Sequence, residues 1–364
     1  MSNFLMILKT QNLRNDQRVL KEIRSLTECG ANVNVLVAKD CDMTEEELNK
    51  PMKEISIFGG AAPRNIFIRI LGVFDFYIKS LFYIIPKKKK INKYWICDPI
   101  MFGLILLIKL IDPNSKIIWD HHELPPTWFL KNKLLLSFFK LAYRKADIVI
   151  HCNQSRKDYL ENLLNFKHGN SYVISNYPDV IDGNEEEYLN EESENWINNK
   201  KFVYLQNCLQ EDRNGAVIIK ALIGKGYYIY HAGKINKNYL ETNGIDPNHK
   251  QLKLGGYLSF KQINRVLKKC EFTVICYKKN SLNQIYCDAN RLYQAMALGT
   301  PLIIGDNPSM IESTINYHSK IILEGDGSEI KSFSNLPIEF DNCRKPLVYS
   351  WKVFYKDFQD IVKI

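Results

Sequence analysis

The sequence has 364 residues, of which 46% are hydrophobic and 24% charged, and its formal net charge is +9. This composition excludes a mainly disordered chain, and the length exceeds what one hydrophobic core usually fills, so two domains are expected. The positive charge favours an anionic partner, such as a nucleotide or a lipid headgroup.

The cysteine pattern and the N-terminus indicate a cytoplasmic protein. The nine cysteines are scattered without a CxxC pair, which is typical of reduced thiols. The opening "MSNFLMILKT" lacks the basic region and long apolar run of a secretory signal. The longest apolar run, 99–111, is too short to span a bilayer, which needs ~20 residues, and is predicted to be a helix buried against a sheet.

The first half of the chain alternates short apolar runs with amphipathic helical segments. Near-continuous apolar strands between helices predict a parallel sheet covered on both faces. The predicted strands are 4–9, 32–38, 54–58, 94–97, 116–120, 147–152 and 171–175, with helices that include 16–28 and 154–164.

A second series of the same kind follows an acidic, polar stretch. Residues 181–200 are predicted to be a linker between domains. The strands predicted after it are 202–206, 227–233, 251–256, 272–277, 301–305 and 320–323, and the chain ends in an amphipathic helix over 348–364. The fold class is therefore α/β, with two doubly wound parallel-sheet domains, in which ligands bind at the carboxyl ends of the strands.

The stretch "DANRLYQAMALGTPLII", 288–304, joins a polar loop to a helix and a buried strand. A helix N-terminus offers unpaired amide hydrogens and the positive end of the helix dipole, which suit a phosphate. Arg291 adds a charge, and Asn290 and Gln294 can hydrogen-bond sugar hydroxyls. Asp288 or Asn290 acting only as a helix cap is the alternative.

The segment "NRLYQAMALGTPLI", 290–303, resembles the nucleotide-sugar segment of GT-B glycosyltransferases, in particular family 4. Further segments, 15–38, 145–160, 173–179, 206–222, 255–277 and 350–358, are similar to other parts of that family in the same order. The resemblance implies two Rossmann-like domains that face each other across a cleft. Residues 1–180 would bind the acceptor and 201–347 the nucleotide-sugar, and helix 348–364 would cross back to complete the first domain.

The resemblance also implies an activity and a donor site. A sugar would pass from a nucleotide-sugar to a glycan or lipid-linked acceptor, in surface polysaccharide or glycoconjugate synthesis. The transfer would proceed with retention and need no metal and no cofactor. Gln294 stands where relatives typically carry a ribose-binding glutamate. The implied donor residues are Arg213, Asn214, Gly256, Tyr257, Asn290, Arg291 and Gln294.

The loop "WDHHELPPTW", 119–128, clusters titratable groups after a predicted strand, which indicates a functional site. It is similar to the family's D-x-H-[ED] sequence, whose histidine faces the donor sugar; here that place falls on His122. The catalytic candidates are His122, Glu123 and Asp120. For His121, hydrogen bonding within the loop is the alternative to a functional role. A zinc site is an alternative for the whole loop, but the sequence has no fourth ligand at metal spacing nearby.

Two further features lie in the first half. Arg14, Asp16 and Arg18 follow the first strand and are candidates for binding the acceptor, although Asp16 also makes an acceptable helix cap. Residues 64–90 mix apolar and basic residues and end in four lysines. This segment suits the inner, anionic face of a cell membrane, or a core helix followed by a solvated lysine turn.

Three alternatives concern the function as a whole. Nucleic-acid binding is not expected, because the basic residues are dispersed and no known binding motif is present. A nucleotide-sugar 2-epimerase would share the fold and the donor site but need no acceptor. A non-catalytic member that binds a nucleotide or a membrane is the third.

Overall fold

The chain forms two compact units in a computed structural model. Unit 1 comprises Met1–Asn176 and Trp351–Ile364, and unit 2 comprises Tyr177–Ser350. The structure describes residues 2–10, 12–14, 16–60, 63, 65–179, 186–324, 340 and 345–364. Residue 64 of the apolar and basic segment and residues 181–185 of the predicted linker lie outside this part.

Unit 1 contains a seven-stranded parallel sheet with helices between its strands. The strands are β1 (Asn3–Leu8), β2 (Asn32–Ala38), β3 (Met52–Ile55), β4 (Lys93–Cys97), β5 (Lys116–His121), β6 (Ile148–His151) and β7 (Ser171–Val173). The helices are α1 (Gln17–Glu28), α2 (Glu45–Leu48), α3 (Ile66–Ile84), α4 (Phe102–Ile111), α5 (Thr127–Lys131), α6 (Lys133–Lys145) and α7 (Gln154–Leu164).

Unit 2 contains a six-stranded parallel sheet. Its strands are β8 (Phe202–Gln206), β9 (Tyr228–Ala232), β10 (Leu252–Gly256), β11 (Phe272–Ile275), β12 (Leu302–Gly305) and β13 (Lys320–Leu323). Its helices are α8 (Glu191–Asn199), α9 (Gly215–Gly224), α10 (Lys237–Thr242), α11 (Phe260–Lys269), α12 (Leu282–Ile285), α13 (Asn290–Ala297) and α14 (Pro308–Ser313). The helix α15 (Tyr355–Lys363) returns to unit 1.

The strand order reverses once in each sheet. In unit 1 the order is β3-β2-β1-β4-β5-β6-β7, and in unit 2 it is β10-β9-β8-β11-β12-β13. All pairs are parallel, for example Met6 with Val35 and with Trp95 on either side of β1. The reversal falls between β1 and β4, and between β8 and β11. Such a topological switch point opens a crevice at the carboxyl ends of the strands, where ligands bind in doubly wound folds.

The predicted α/β class with two doubly wound parallel sheets is confirmed, and each predicted strand is present with small shifts at some ends. Both faces of the sheets are buried, as the continuous apolar runs indicate. In β8, Phe202 and Tyr204 belong to one core cluster and Val203 and Leu205 to another, because alternate side chains point to opposite faces.

The predicted linker needs a correction, because part of it is a helix of unit 2. In α8, Glu194 makes an ion pair and hydrogen bonds with Arg265 of α11, and Ile197 is buried. Glu186 pairs with Arg265 and Lys268. The acidic character that suggested a solvated connector instead complements the basic face of α11.

The C-terminal segment packs on unit 1, as expected of a helix that crosses back, but it begins with a 3₁₀ turn over Trp351–Phe354. Trp351 donates from Nε1 to Ser25 Oγ at 2.9 Å, and Phe358 stacks on Trp95 with ring centroids 6.0 Å apart. Val353, which lies within the predicted helix 348–364, is 62% exposed, because the tighter turn rotates it away from unit 1. Among the described helices, none is long and apolar enough to cross a bilayer.

Candidate functional site

Unit 1 gathers charged groups at its switch point. Arg18 and Glu22 lie on α1, which follows β1, and Asp120 is the penultimate residue of β5. Arg18 Nη2 donates to Asp120 Oδ1 at 2.8 Å, and Arg18 Nε lies 2.9 Å from Glu22 Oε1. His122 Nε2 lies 2.8 Å from Asp120 Oδ2. One oxygen of the Asp120 carboxylate thus holds the ring of His122, and the other binds Arg18.

Burial and charge set the protonation of this cluster. Burial disfavours the charged form of His122, but Asp120 offsets this through its charge and hydrogen bond, so the pKa of His122 is well above its usual value. Burial would raise the pKa of Asp120, yet Arg18 and His122 hold it well below its usual range. Burial and the charge of Asp120 raise the pKa of Glu22. Asp120 is thus ionised at neutral pH, and His122 carries a proton on both nitrogens.

Four side chains here have atoms that could bind a metal. They are Glu22, Cys97, Asp120 and His122, whose ligand atoms all lie within 4.8 Å of one another. Arg18 already supplies a positive charge to both carboxylates, at 2.8 and 2.9 Å. A metal ion would therefore have to share these carboxylates with a guanidinium group, which opposes its binding.

The two histidines of the loop have different surroundings. The side chain of His122 is 13% exposed, whereas His121 is 2% exposed and packs 4.2 Å from Trp119 between ring centroids. Within the described part of the chain, neither ring nitrogen of His121 has a hydrogen-bond partner. Burial lowers the pKa of His121 to about 3, so it is a neutral core residue. Glu123, by contrast, is exposed at the surface of unit 1.

The three acceptor candidates are not equivalent. Arg18 is 4% exposed and bonded to Asp120, Glu22 and the Ile174 carbonyl, so its role is to position Asp120 rather than to meet an acceptor. Asp16 caps α1 by accepting from the Val19 amide at 3.2 Å. Arg14 is half-exposed and pairs with Glu47 at 2.6 Å, which makes it a surface ion pair.

In unit 2, two residues predicted to bind the nucleotide-sugar donor lie against the ring of one tyrosine. Tyr277 follows β11, and the guanidinium carbons of Arg213 and Arg291 lie 4.6 and 5.6 Å from its ring centroid. Arg213 Nη1 donates to the Tyr277 hydroxyl at 3.0 Å, and Arg291 donates to the Gln206 carbonyl. The Nε atoms of both arginines are buried and have no hydrogen-bond partner among the residues that the structure describes. Two neighbouring guanidinium groups with spare donors favour an anion.

Two helices begin beside these arginines without a side-chain cap. Asn214 precedes α9 in the left-handed conformation, with φ 54°, and Ala289 precedes α13; neither makes a capping bond. At Gly215, a Cβ would lie 1.8 Å from the Cys208 carbonyl oxygen, so only glycine fits there. The Ala216 amide of α9 donates to the Tyr239 hydroxyl at 3.0 Å, and the positive ends of the two helix dipoles add to the field of the arginines.

The remaining donor candidates lie at neighbouring strand ends or in α13. Gly256 ends β10 with φ 71°, and its carbonyl accepts from Gly233 at 2.6 Å. Tyr257 is 78% exposed, and Asn290 is exposed at the first turn of α13. Gln294 is 5% exposed, and its Nε2 donates to Asn264 Oδ1 at 2.7 Å and to the Phe260 carbonyl at 3.3 Å. The side-chain nitrogen of Gln294 therefore already hydrogen-bonds within unit 2, and we do not assign Gln294 to ribose binding.

Comparison of this architecture with solved structures identifies the fold. HepE of Anabaena, solved with UDP and glucose, is 12% identical, with a TM-score of 0.66 over 100% of this chain and 95% of that one. Sucrose-phosphate synthase from Thermosynechococcus elongatus is also 12% identical, with a TM-score of 0.65 over 100% and 94%. The chain has the GT-B fold. No protein-family profile and no curated protein sequence matches it.

The same GT-B architecture occurs in a third solved structure of different activity. The UDP-GlcNAc 2-epimerase from Methanocaldococcus jannaschii is 12% identical, with a TM-score of 0.58 over 99% of this chain and 100% of that one. Identities this low establish the fold and not the reaction. The expected GT-B architecture is confirmed, and the choice between transfer and epimerisation depends on the site.

Two residues of the unit 1 cluster, Glu22 and Asp98, are not among the candidates that the sequence pattern indicated. Glu22 looked like an ordinary polar residue of an amphipathic helix, and only its place beside Asp120 gives it a role. Asp98 directly follows β4 with φ 74°, and its Oδ1 lies 3.9 Å from His122 Nδ1. A signal for Asp98 was available: it directly follows a predicted strand and precedes a proline that opens a helix.

Proposed function

We propose that this protein is a glycosyltransferase that moves a sugar from a nucleotide-sugar donor to a glycan or lipid-linked acceptor. The observation that carries the proposal is the pair Arg213 and Arg291 on Tyr277, at the switch point of unit 2. A diphosphate has the charge and the oxygen geometry for two guanidinium groups. The GT-B fold shared with HepE, which was solved with UDP and glucose, supports a nucleotide diphosphate as the ligand.

The mechanism that we propose uses charge rather than metal or cofactor chemistry. Cleavage of the bond between the anomeric carbon and the diphosphate oxygen leaves negative charge on the diphosphate. Arg213, Arg291 and the uncapped amides of α13 would stabilise that charge as it develops. The sugar would then join the acceptor oxygen with retention at the anomeric carbon, and the acceptor hydroxyl would pass its proton to a general base.

In unit 1 we propose different roles for the three catalytic candidates. His122 would contact the transferred sugar, and Asp120 would hold its imidazole. Asp120 is a poor base, because its pKa is low and both oxygens are bonded. We therefore propose exposed Glu123 as the base that accepts the proton of the acceptor hydroxyl.

The scattered cysteines support the cytoplasm as the compartment of the protein.

Titration calorimetry with UDP tests the donor site. Arg213→Ala and Arg291→Ala should each weaken binding, because each removes a charge-assisted hydrogen bond worth about 1.5–3 kcal/mol. Arg144→Ala is the matched control, since Arg144 also lies over an aromatic ring, 4.9 Å from Phe166, but in unit 1. Unchanged UDP affinity in both unit 2 variants would exclude this diphosphate site.

Epimerisation is the second candidate, favoured by the likeness to the M. jannaschii enzyme. Release of nucleotide from a panel of nucleotide-sugars should require an acceptor if the protein is a transferase. Inversion of the sugar within the nucleotide-sugar, without acceptor and without net release of nucleotide, would instead support the epimerase. Chelation by EDTA should leave the transfer intact, and its loss with recovery on adding a divalent ion would contradict the metal-free mechanism.

A further inference from the structure

The helix α3 has an apolar stripe on its outer side as well as on its inner side. Its inner side packs in unit 1 through Val73, Phe76 and Ile84. Its outer side leaves large apolar side chains 54–74% exposed, at a spacing of three or four residues: Phe67, Leu71, Phe74, Ile78 and Phe82. A surface helix of a water-surrounded domain normally turns polar residues outward, so this stripe requires a partner that is apolar.

The neighbouring helices extend this apolar surface. The helix α4 packs beside α3 and beside α6, so the three helices form one layer of unit 1. On α6, Leu134, Phe138 and Leu141 are exposed at the same helical spacing. On α4, Leu110 is 77% exposed. We call the outer sides of α3, α4 and α6 the α3–α6 face.

The charges on this face have one dominant sign. Asp75 is the only acidic residue in α3, α4, α5 and α6, and Lys79 pairs with it at 2.7 Å. Lys109 is 15% exposed and pairs with Asp147 at 2.8 Å. The other basic residues of these helices and of the 3₁₀ turn after α3 are Arg69, Lys79, Lys87, Lys88, Lys89, Lys90, Lys131, Lys133, Lys140, Arg144 and Lys145. Lysines beside an exposed apolar stripe match a surface whose interior is apolar and whose headgroups are anionic.

We infer that the α3–α6 face docks on the surface of an anionic lipid bilayer, with the stripe of α3 in the interface and Lys87–Lys90 at the headgroups. A second copy of the chain is a poorer fit, because two copies would bring like charges together. The docking does not depend on the proposed glycosyl transfer, since it uses none of the residues assigned to that reaction.

Co-sedimentation with vesicles tests the inference on the full chain. The wild type should bind vesicles of phosphatidylcholine with phosphatidylglycerol and bind phosphatidylcholine alone much more weakly. The double variant Phe74→Ser/Phe82→Ser should lose binding, and substitution of Lys87–Lys90 by Gln should weaken it at least roughly tenfold, because each lysine adds to the attraction. Added salt should weaken wild-type binding.

The matched control is Ile315→Ser/Val348→Ser, two apolar side chains of unit 2 that are 70% and 57% exposed. It should bind anionic vesicles like the wild type, and all variants should keep the wild-type melting temperature. Absence of wild-type binding, or equal loss in the control, would overturn the inference. Sedimentation velocity provides a further check. A wild-type dimer that dissociates in Phe74→Ser/Phe82→Ser would also overturn the inference, because the face would then bind a second copy of the chain.

Discussion

Asp120 lies at the end of β5 with its two carboxylate oxygens bonded to Arg18 and His122. Because both partners are cationic, the carboxylate remains ionised, and an ionised carboxylate only accepts hydrogen bonds. The imidazole of His122 must therefore donate from Nε2, which sets its orientation. Removing Asp120 would leave the buried Arg18 and His122 cations without this carboxylate, which costs several kcal/mol, whereas removing His122 leaves Asp120 paired with Arg18.

The adjacent histidines should respond differently to the same substitution. We expect His122→Ala to reduce glycosyl transfer far more than it reduces the free energy of unfolding. We expect His121→Ala to cost on the order of 2 kcal/mol of stability with little effect on turnover, because it leaves a cavity beside Trp119. Turnover and denaturant unfolding of both variants check this, and equal turnover would remove His122 from the catalytic residues.

The buried histidines should also make stability depend on pH. His231 is fully buried in unit 2, and burial followed by the charge of Arg291 lowers its pKa to about 4. The unfolded chain binds a proton at a pKa of about 6.5, whereas the folded chain does not. The free energy of unfolding therefore falls as the pH drops below about 6.5, and the loss continues until about pH 4.

Replacing His231 with leucine isolates this contribution. Between about pH 7 and about pH 5, the wild type should lose about 2 kcal/mol more stability than His231→Leu, because the variant lacks the proton that only the unfolded wild type binds. Denaturant unfolding of both proteins at the two pH values measures the difference. Parallel pH dependence of wild type and variant would mean that His231 does not remain neutral in the fold.

At the scale of the elements, the first residue of α9 has the least space for a side chain of any glycine beside the candidate donor site. This residue, Gly215, faces the carbonyl oxygen of Cys208, and Arg213 and Asn214 come directly before it. The close approach of the backbones places Arg213 beside Tyr277. The position of the helix therefore determines where a diphosphate could bind.

Two glycines of α9 provide a matched pair of substitutions. We expect Gly215→Ala to cost about 1–3 kcal/mol and to weaken UDP binding, because the added Cβ would lie 1.8 Å from the Cys208 oxygen and force the helix start to move. Gly224→Ala meets nothing within 4 Å at the other end of α9 and should be neutral or stabilise by roughly 0.5–1 kcal/mol. Thermal unfolding and calorimetry compare them, and a neutral Gly215→Ala would refute the constraint.

For the whole molecule, the most consequential connection is the return of the last residues to unit 1. Phe358 is fully buried between Trp95 and Trp351, with centroids 6.0 and 5.7 Å away. Lys93 Nζ donates to the Ile361 carbonyl at 3.1 Å. Unit 1 is thus completed by residues that the chain supplies only after all of unit 2.

Substitutions in this segment should act on unit 1 alone. We expect Phe358→Ala to cost roughly 3–5 kcal/mol, because it opens a cavity beside Trp95. Val353→Ala is the control and should change stability by at most about 0.5 kcal/mol, since Val353 is 62% exposed. Hydrogen exchange should show loss of protection in β4 but not in β8, with UDP affinity unchanged. Equal loss in β8 would contradict this.

The sequence by itself determined the elements and their alternation, and with them the α/β class. These depend on local patterns: apolar runs mark the strands, and polar caps such as Asp16 and Asn153 mark the starts of α1 and α7. The loops after the strands could also be located in the sequence, so His122 and Arg291 could be named as candidate site residues before any contact was known.

Only the tertiary structure decided which strands are neighbours and therefore which side chains meet. The grouping of Glu22 and Asp98 with His122, the packing of α8 on α11 and the pairing of Arg213 with Arg291 on Tyr277 join residues far apart in sequence. The second apolar stripe of α3 was likewise ambiguous, because a helix that is apolar all round can be buried or can face a membrane. Long-range packing, which no local pattern encodes, determined the exposed side of that helix.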